Sequence, residues 1–202
     1  NSGAGIFADP DLEELVIEEC TFINNLNDDS RGAAICATKT EFSTAPIKKV
    51  SIISSAFINN SIKHGAISDS DSSKAGSALF LRVNNLVLKD CEFSQNNANN
   101  NKNNCPIIFI SSSSFNVTSL VIDSCHIFDN YGTFAQIESP YLDTVKFANC
   151  IFENHYFFDL GLIYDFSLPN FLRFENSTFV GNKGSANCNI ITMPSGNSHR
   201  AY

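Results

Sequence analysis

An eleven-residue word returns six times along this chain, and no other feature of the sequence restricts the fold as much. The copies run Leu15 to Asn25 (LVIEECTFINN), Val50 to Asn60 (VSIISSAFINN), Leu86 to Asn96 (LVLKDCEFSQN), Leu120 to Asn130 (LVIDSCHIFDN), Val145 to His155 (VKFANCIFENH) and Leu172 to Asn182 (LRFENSTFVGN). Successive copies begin 35, 36, 34, 25 and 27 residues apart. A word at a nearly constant period marks a repeat architecture, in which each unit buries its apolar face only by stacking on its neighbours.

Read down the columns, the word describes two short strands. Leu15, Val50, Leu86, Leu120, Val145 and Leu172 are aliphatic, and the residues two further on are apolar again (Ile17, Ile52, Leu88, Ile122, Phe147, Phe174). That is the period of a strand with one buried face. A mostly polar pair follows and reads as a turn. Cys20, Ser55, Cys91, Cys125, Cys150 or Ser177 then precedes, by two residues, Phe22, Phe57, Phe93, Ile127, Phe152 or Phe179. The Asn or His that closes each copy is expected at a corner, where its side chain bonds backbone groups and left-handed geometry is tolerated.

A third apolar run comes after each copy, at 33–36, 78–81, 107–110, 134–137, 160–163 and 190–192. Three short strands per repeat, with no long helical pattern, predict an all-β, right-handed, single-stranded parallel β-helix of about six to seven turns over residues 1–202. With strands stacked about 4.8 Å apart, Phe, Cys/Ser and Asn ladders would climb the interior. A leucine-rich horseshoe wants one strand per repeat, and a propeller blade needs about 40 residues and four strands.

Composition narrows the class. At 43% hydrophobic and 17% charged residues the chain is globular rather than disordered. A net charge of -8 without a basic stripe argues against nucleic acid as a partner. No apolar run is long enough to predict a membrane-spanning helix. The chain does not start with Met and carries no signal-peptide pattern. Gly3-Ala4-Gly5-Ile6-Phe7-Ala8 resembles the third-strand segment Gly32-Ala33-Ala34-Ile35-Cys36-Ala37, and no capping helix is evident. We therefore expect a segment of a longer chain, or a unit that stacks on others. Ser68 to Ser73 and Asn96 to Asn104 read as solvated loops.

Cys20, Cys91, Cys125 and Cys150 fall in one expected interior column, where free thiols pack like small hydrophobes and disulfides between adjacent turns are also within reach. Cys36, Cys105 and Cys188 lie near third strands as a second candidate ladder. No Cys-x-x-Cys pair exists, and no zinc site or other metal or cofactor is expected. Asp69-Ser70-Asp71-Ser72-Ser73 opens like a calcium loop, but Lys74 and Phe80 stand where an EF-hand needs Gly and Glu. A looser calcium site is left open. Three N-glycosylation sequons begin at Asn59, Asn116 and Asn176, all expected to face solvent.

Enzymes that cleave polysaccharides need carboxylates, with Arg or Lys, converging on an outer face. The outward column of the first strand is Val16, Ser51, Val87, Val121, Lys146 and Arg173; that of the second is Thr21, Ala56, Glu92, His126, Ile151 and Thr178. Neither pairs carboxylates. His126 beside Glu92 is the one expected contact of interest, and a solvated surface pair explains it. Val16, Val87 and Val121 make an apolar stripe of the kind that an assembly covers.

The Phe-x-x-Asn word followed by a Gly-Ala-Ile-like segment resembles the repeat of the polymorphic outer membrane proteins of chlamydiae. The word stands as Phe22…Asn25, Phe57…Asn60, Phe93…Asn96 and Phe179…Asn182. Its second half survives in part at Gly32-Ala33-Ala34-Ile35, His64-Gly65-Ala66-Ile67 and Gly76-Ser77-Ala78-Leu79. The resemblance implies a β-helix in a secreted or cell-surface protein with structural or adhesive work, and it transfers no catalytic residues. The expected function is a non-catalytic structural segment of a coat, stalk or filament, its partners being further β-helix of the same chain or identical subunits. The alternatives are a ligand- or glycan-binding module, using loops at 28–31, 69–74 and 97–104, and a polysaccharide lyase or hydrolase.

Overall fold

The computed structural model describes residues 5–8, 12–27, 32–37, 46–62, 76–97, 99–100, 103–104, 106–111, 119–138, 142–157, 161–165, 171–185 and 189–192. Among these, every regular element is a strand, and all but one hairpin pair in parallel.

Each repeat contributes one strand to each of three sheets. The first sheet stacks Glu14–Glu18, Ile47–Ile53, the second half of Leu79–Lys89, Ser119–Asp123, Thr144–Ala148 and Phe171–Glu175. The second stacks Thr21–Ile23, Ala56–Ile58, Glu92–Ser94, His126–Phe128, Ile151–Glu153 and Thr178–Val180. The third begins with Ile6–Ala8 on Ile35–Ala37 and continues through the first half of Leu79–Lys89, Ile108–Ser111, Ala135–Glu138, Ile163–Asp165 and Ile191–Thr192. Leu79–Lys89 joins the third sheet to the first without a break. Stacked parallel strands of this kind agree with a parallel β-helix.

Register follows the sequence word residue for residue. Leu15, Val50, Leu86, Leu120, Val145 and Leu172 are direct neighbours up the first sheet, and Phe22, Phe57, Phe93, Ile127, Phe152 and Phe179 up the second. A slip of one residue would turn every one of these side chains to solvent, so the apolar columns fix the pairing. Their rings stack in parallel: Phe22 on Phe57 at 5.0 Å, Phe57 on Phe93 at 4.8 Å, and Phe152 on Phe179 at 4.7 Å. Full burial of each such side chain contributes about 1.5–3 kcal/mol, and a well-placed ring pair adds about 0.5–1.5 kcal/mol.

Three features depart from the sequence expectation. A short fourth column follows the closing Asn, with Leu26–Asn27 on Ser61–Ile62, single bridges through Asn97 and Tyr131, and Tyr156–Phe157 on Lys183–Gly184. Within 96–104, expected as a loop, Asn96 is fully buried and Asn99–Asn100 pairs antiparallel with Asn103–Asn104. The third sheet is buried on both sides. Ile35, Leu79 and Ile108 belong to the main core, while Cys36, Phe80 and Phe109 form a separate cluster on the opposite face.

Glycines mark where the chain bends into the third sheet. Gly32 lies at φ 74, and a Cβ there would overlap the carbonyl oxygen of Ile35. At Gly76 a Cβ would overlap that of Leu79 and reach Phe109 N at 3.0 Å. The surviving half of the Gly-Ala-Ile segment is thus a steric requirement of close backbone approach.

Candidate functional site

Two corner columns bracket the second sheet, and both use left-handed backbone. The first is Glu19, Ser54, Asp90, Ser124, Asn149 and Asn176; the second is Asn24, Asn59, Gln95, Asp129, Asn154 and Gly181. The left-handed residue is therefore the one before the closing Asn, which corrects the corner placement expected from the sequence. The closing Asn turns inward. Asn25, Asn60 and Asn96 donate their backbone amides to the side-chain oxygens of Asn60, Asn96 and Asn130 at 3.1, 2.9 and 2.9 Å. Asn60, Asn96, Asn130 and Asn182 send their side-chain amides back to the carbonyls of Phe22, Phe57, Phe93 and Phe152 at 2.8–3.0 Å. These bonds satisfy backbone groups at a bend where the sheet ladder cannot.

His155 breaks that ladder. It is fully buried in the place of an Asn. Its Nε2 donates to the carbonyl of Gly132 at 2.7 Å; a carbonyl only accepts, so Nε2 carries the proton. Nδ1 is buried and meets no partner. Burial pushes the imidazole down to about 4, against a smaller upward pull from Gly132. Asn182 still accepts the His155 amide at 2.9 Å, so the ladder resumes below.

The Cys/Ser column is a hydrogen-bonding column as much as an apolar one. Cys91, Cys125 and Cys150 each donate to the carbonyl two residues back, at 3.1–3.3 Å, and to a carbonyl of the preceding repeat at 3.4–3.7 Å. Ser55 and Ser177 make the same two-residue bond at 2.8 and 3.1 Å, which explains why Ser and Cys interchange here. All four column thiols are free. Cys20, expected inside, is exposed; it belongs to the first repeat among the described residues. Contact with the Cys150 and Cys91 thiols, together with burial, holds the Cys125 thiol protonated. Cys36 does not stack on another Cys; its neighbours are Phe7 and Phe80. Cys105 and Cys188 lie outside the described residues.

The surface candidates separate cleanly. Asn59 and Asn176 are exposed at left-handed corners, and their side-chain amides donate to Asn24 and Asn149 at 2.7 and 3.3 Å. Asn116 and the calcium-like run at 69–74 lie outside the described residues. Val16, Ser51, Val87 and Val121 are in register; Val16 is exposed, Val87 and Val121 are half-buried and Ser51 is buried. His126 lies beside Glu92 in the strand register, yet its ring faces Glu153 at 3.6 Å, and Glu92 instead accepts from Ser94 at 2.8 Å. The expected His126–Glu92 contact is thus replaced by one to the following repeat.

Both outermost repeats expose apolar groups: Val16, Ile23 and Leu26 at one end, Phe171, Val180 and Ile190 at the other. No cluster of His, Cys, Asp or Glu suited to a metal occurs among the described residues, and none of their elements is a helix long and apolar enough to cross a membrane. No family model, curated protein or solved structure matches this chain.

Proposed function

We propose that the chain is a right-handed, single-stranded parallel β-helix of six to seven turns, related in its repeat to the polymorphic outer membrane proteins. It serves as a non-catalytic structural segment of an extracellular coat, stalk or filament. The observation that carries this reading is the continuity of the columns: apolar, thiol/hydroxyl and carboxamide side chains each repeat rung after rung along one direction. Such a body is built for length. The sequons add support for an extracellular setting, since Asn59 and Asn176 project from exposed corners and a sugar on Nδ2 leaves one N–H for the bond each now makes. The Val16, Val87 and Val121 stripe is a candidate lateral contact.

Electron microscopy of native material should reveal ordered stalks, coats or filaments, and glycosidase treatment should lower the mass of the chain. Dispersed particles that depolymerise a uronic-acid polymer would overturn the reading. A second reading, a glycan-binding module, is favoured by the stacked Tyr131 and Tyr156 rings, 5.1 Å apart, beyond the second sheet. Binding on a glycan array that is lost in Tyr156→Ala would support it.

A further inference from the structure

The outward face of the first sheet changes character along its length. Its middle column is uncharged over the first four rungs, with Val16, Ser51, Val87 and Val121, and cationic over the last two, with Lys146 and Arg173. The column beside it, next to the second sheet, runs Glu18, Ile53, Lys89, Asp123, Ala148 and Glu175. The first rung, residues 12–19, carries Glu13, Glu14, Glu18 and Glu19 and no Lys or Arg. Glu13 and Glu14 are paired with Lys48 and Lys49, while Glu18 and Glu19 have no cation among the described residues. Lys89 is exposed and has no ion pair among the described residues either. Asp123 has none, and accepts only neutral donors, Asn149 at 2.8 Å and Ser124 at 3.2 Å.

A second copy can lie on this face about a two-fold axis in two ways. With the stacking axes parallel, every rung meets itself. Lys146 then faces Lys146, Arg173 faces Arg173 and Glu14 faces Glu18, and like charges set face to face are costly. With the axes antiparallel and the two-fold between the rungs of Val87 and Val121, the third rung meets the fourth, the second the fifth and the first the sixth. Val87 then faces Val121, Ile53 faces Ala148 and Lys89 faces Asp123, each of these pairs twice. Arg173 falls over the partner's Val16, between the partner's Glu14 and Glu18. Glu175 falls over the partner's Glu18, but Arg173 and Lys146 already hold it, each at 2.7 Å.

The outward face of the second sheet is also partly apolar, with Ile23, Ile151 and Val180 exposed. Its titratable groups, however, meet partners within the chain: His126 faces Glu153 at 3.6 Å, and Glu92 accepts from Ser94 at 2.8 Å. It offers no comparable charge pattern to orient a second copy.

We propose that the first-sheet face is an isologous contact between two copies of this chain, packed antiparallel about the Val87–Val121 step. The inference rests on the structural reading above and gives its lateral contact a partner and a direction. Six rungs of five-residue strand present roughly 500 Å² per copy, from about 4.8 Å per rung and about 3.3 Å per residue. The pair therefore buries about 1,000 Å² in total, at the low end of specific interfaces, and the contact is weak and reversible. Being two-fold, it closes at the dimer.

Sedimentation velocity on the 202-residue chain, made without glycans because the Asn176 corner borders this face, tests the contact. The mass should rise with concentration from 22.1 kDa to twice that value and stop there. Val121→Lys should move association to at least about tenfold higher concentration, with an unchanged circular dichroism spectrum. Lys89→Asp sets two carboxylates face to face, and Asp123→Lys two cations, so each variant alone should associate as weakly as Val121→Lys. Mixed, these two variants should pair with each other at the parent's concentration, since each carboxylate then faces a cation. That rescue needs Lys89 and Asp123 of different copies to meet, which only the antiparallel arrangement provides. A parent chain monomeric at every concentration overturns the contact, as does growth beyond the dimer that survives Val121→Lys. Dimers that survive Val121→Lys but are lost in Ile151→Lys overturn it too, by placing the contact on the second sheet. None of these failures removes the structural reading, which stands or falls on the electron microscopy of native material.

Discussion

Replacing His155 by Asn tests the interior ladder most directly, because it repairs the one broken rung. In the repeats around it the closing Asn gives two bonds: its oxygen accepts the amide of the preceding Asn, and its nitrogen donates to the carbonyl three residues before that Asn. At position 155 these would be bonds from Asn130 N–H and to Ile127 O. Each contributes about 1 kcal/mol net, against loss of the 2.7 Å bond to Gly132 and of the ring packed edge-on against Phe134 at 6.3 Å. Near neutral pH the two sides roughly cancel, within about 1 kcal/mol. Acid separates them. His155 titrates at about 4 in the folded chain against 6.5 unfolded, so between those values the unfolded state holds the extra proton and stability falls as pH falls. The stabilisation is complete above 6.5 and lost by about 4, a total of roughly 3 kcal/mol. At about pH 4.5, approximately 2.5 kcal/mol of this is gone. Denaturant unfolding of parent and His155→Asn at about pH 7.5 and about pH 4.5 should therefore give an acid loss smaller by roughly 2.5 kcal/mol in the variant. This double difference is insensitive to any void left by the smaller side chain. Equal acid losses in the two proteins would refute the reasoning.

Two further predictions bear on the columns and the bends. Thiol labelling of the folded chain followed by peptide mapping should modify Cys20 rapidly and leave Cys91, Cys125 and Cys150 untouched until denaturant is added; a disulfide between any two of these three would contradict the donor geometry. Gly76→Ala should cost about 3 kcal/mol in unfolding free energy, since its Cβ meets backbone atoms of Leu79 and Phe109 rather than a flexible side chain.

Much of this architecture was legible because a strand has a period of two and the word is short. Once Leu15 and Ile17 are inward, Val16 must face out, and the register of the next five copies follows from the same alternation. What stayed hidden was of three kinds. Asn24 and Asn25 are the same residue type, so tolerance of left-handed geometry could not tell the corner residue from the one that turns inward. The two-sided burial of the third sheet was present as continuous apolar runs, Ala78-Leu79-Phe80-Leu81 and Ile107-Ile108-Phe109-Ile110, the pattern of strands covered on both faces. His126 faces Glu153 because an outward side chain reaches the next repeat diagonally as easily as directly, and strand register alone does not fix that choice.

The same economy explains why the chain tolerates variation at some columns and not at others. A column position asks for a function, not a residue. The thiol/hydroxyl column accepts Cys or Ser because both donate to the carbonyl two residues back. The aromatic column accepts Ile127 between Phe93 and Phe152, and Phe134 fills the space beside it, edge-on to both rings at 5.5 Å. The carboxamide column is stricter, since its residue must accept from one rung and donate to another at once. His155 manages only one such side-chain bond, and to a different carbonyl, which leaves Nδ1 buried and unpaired.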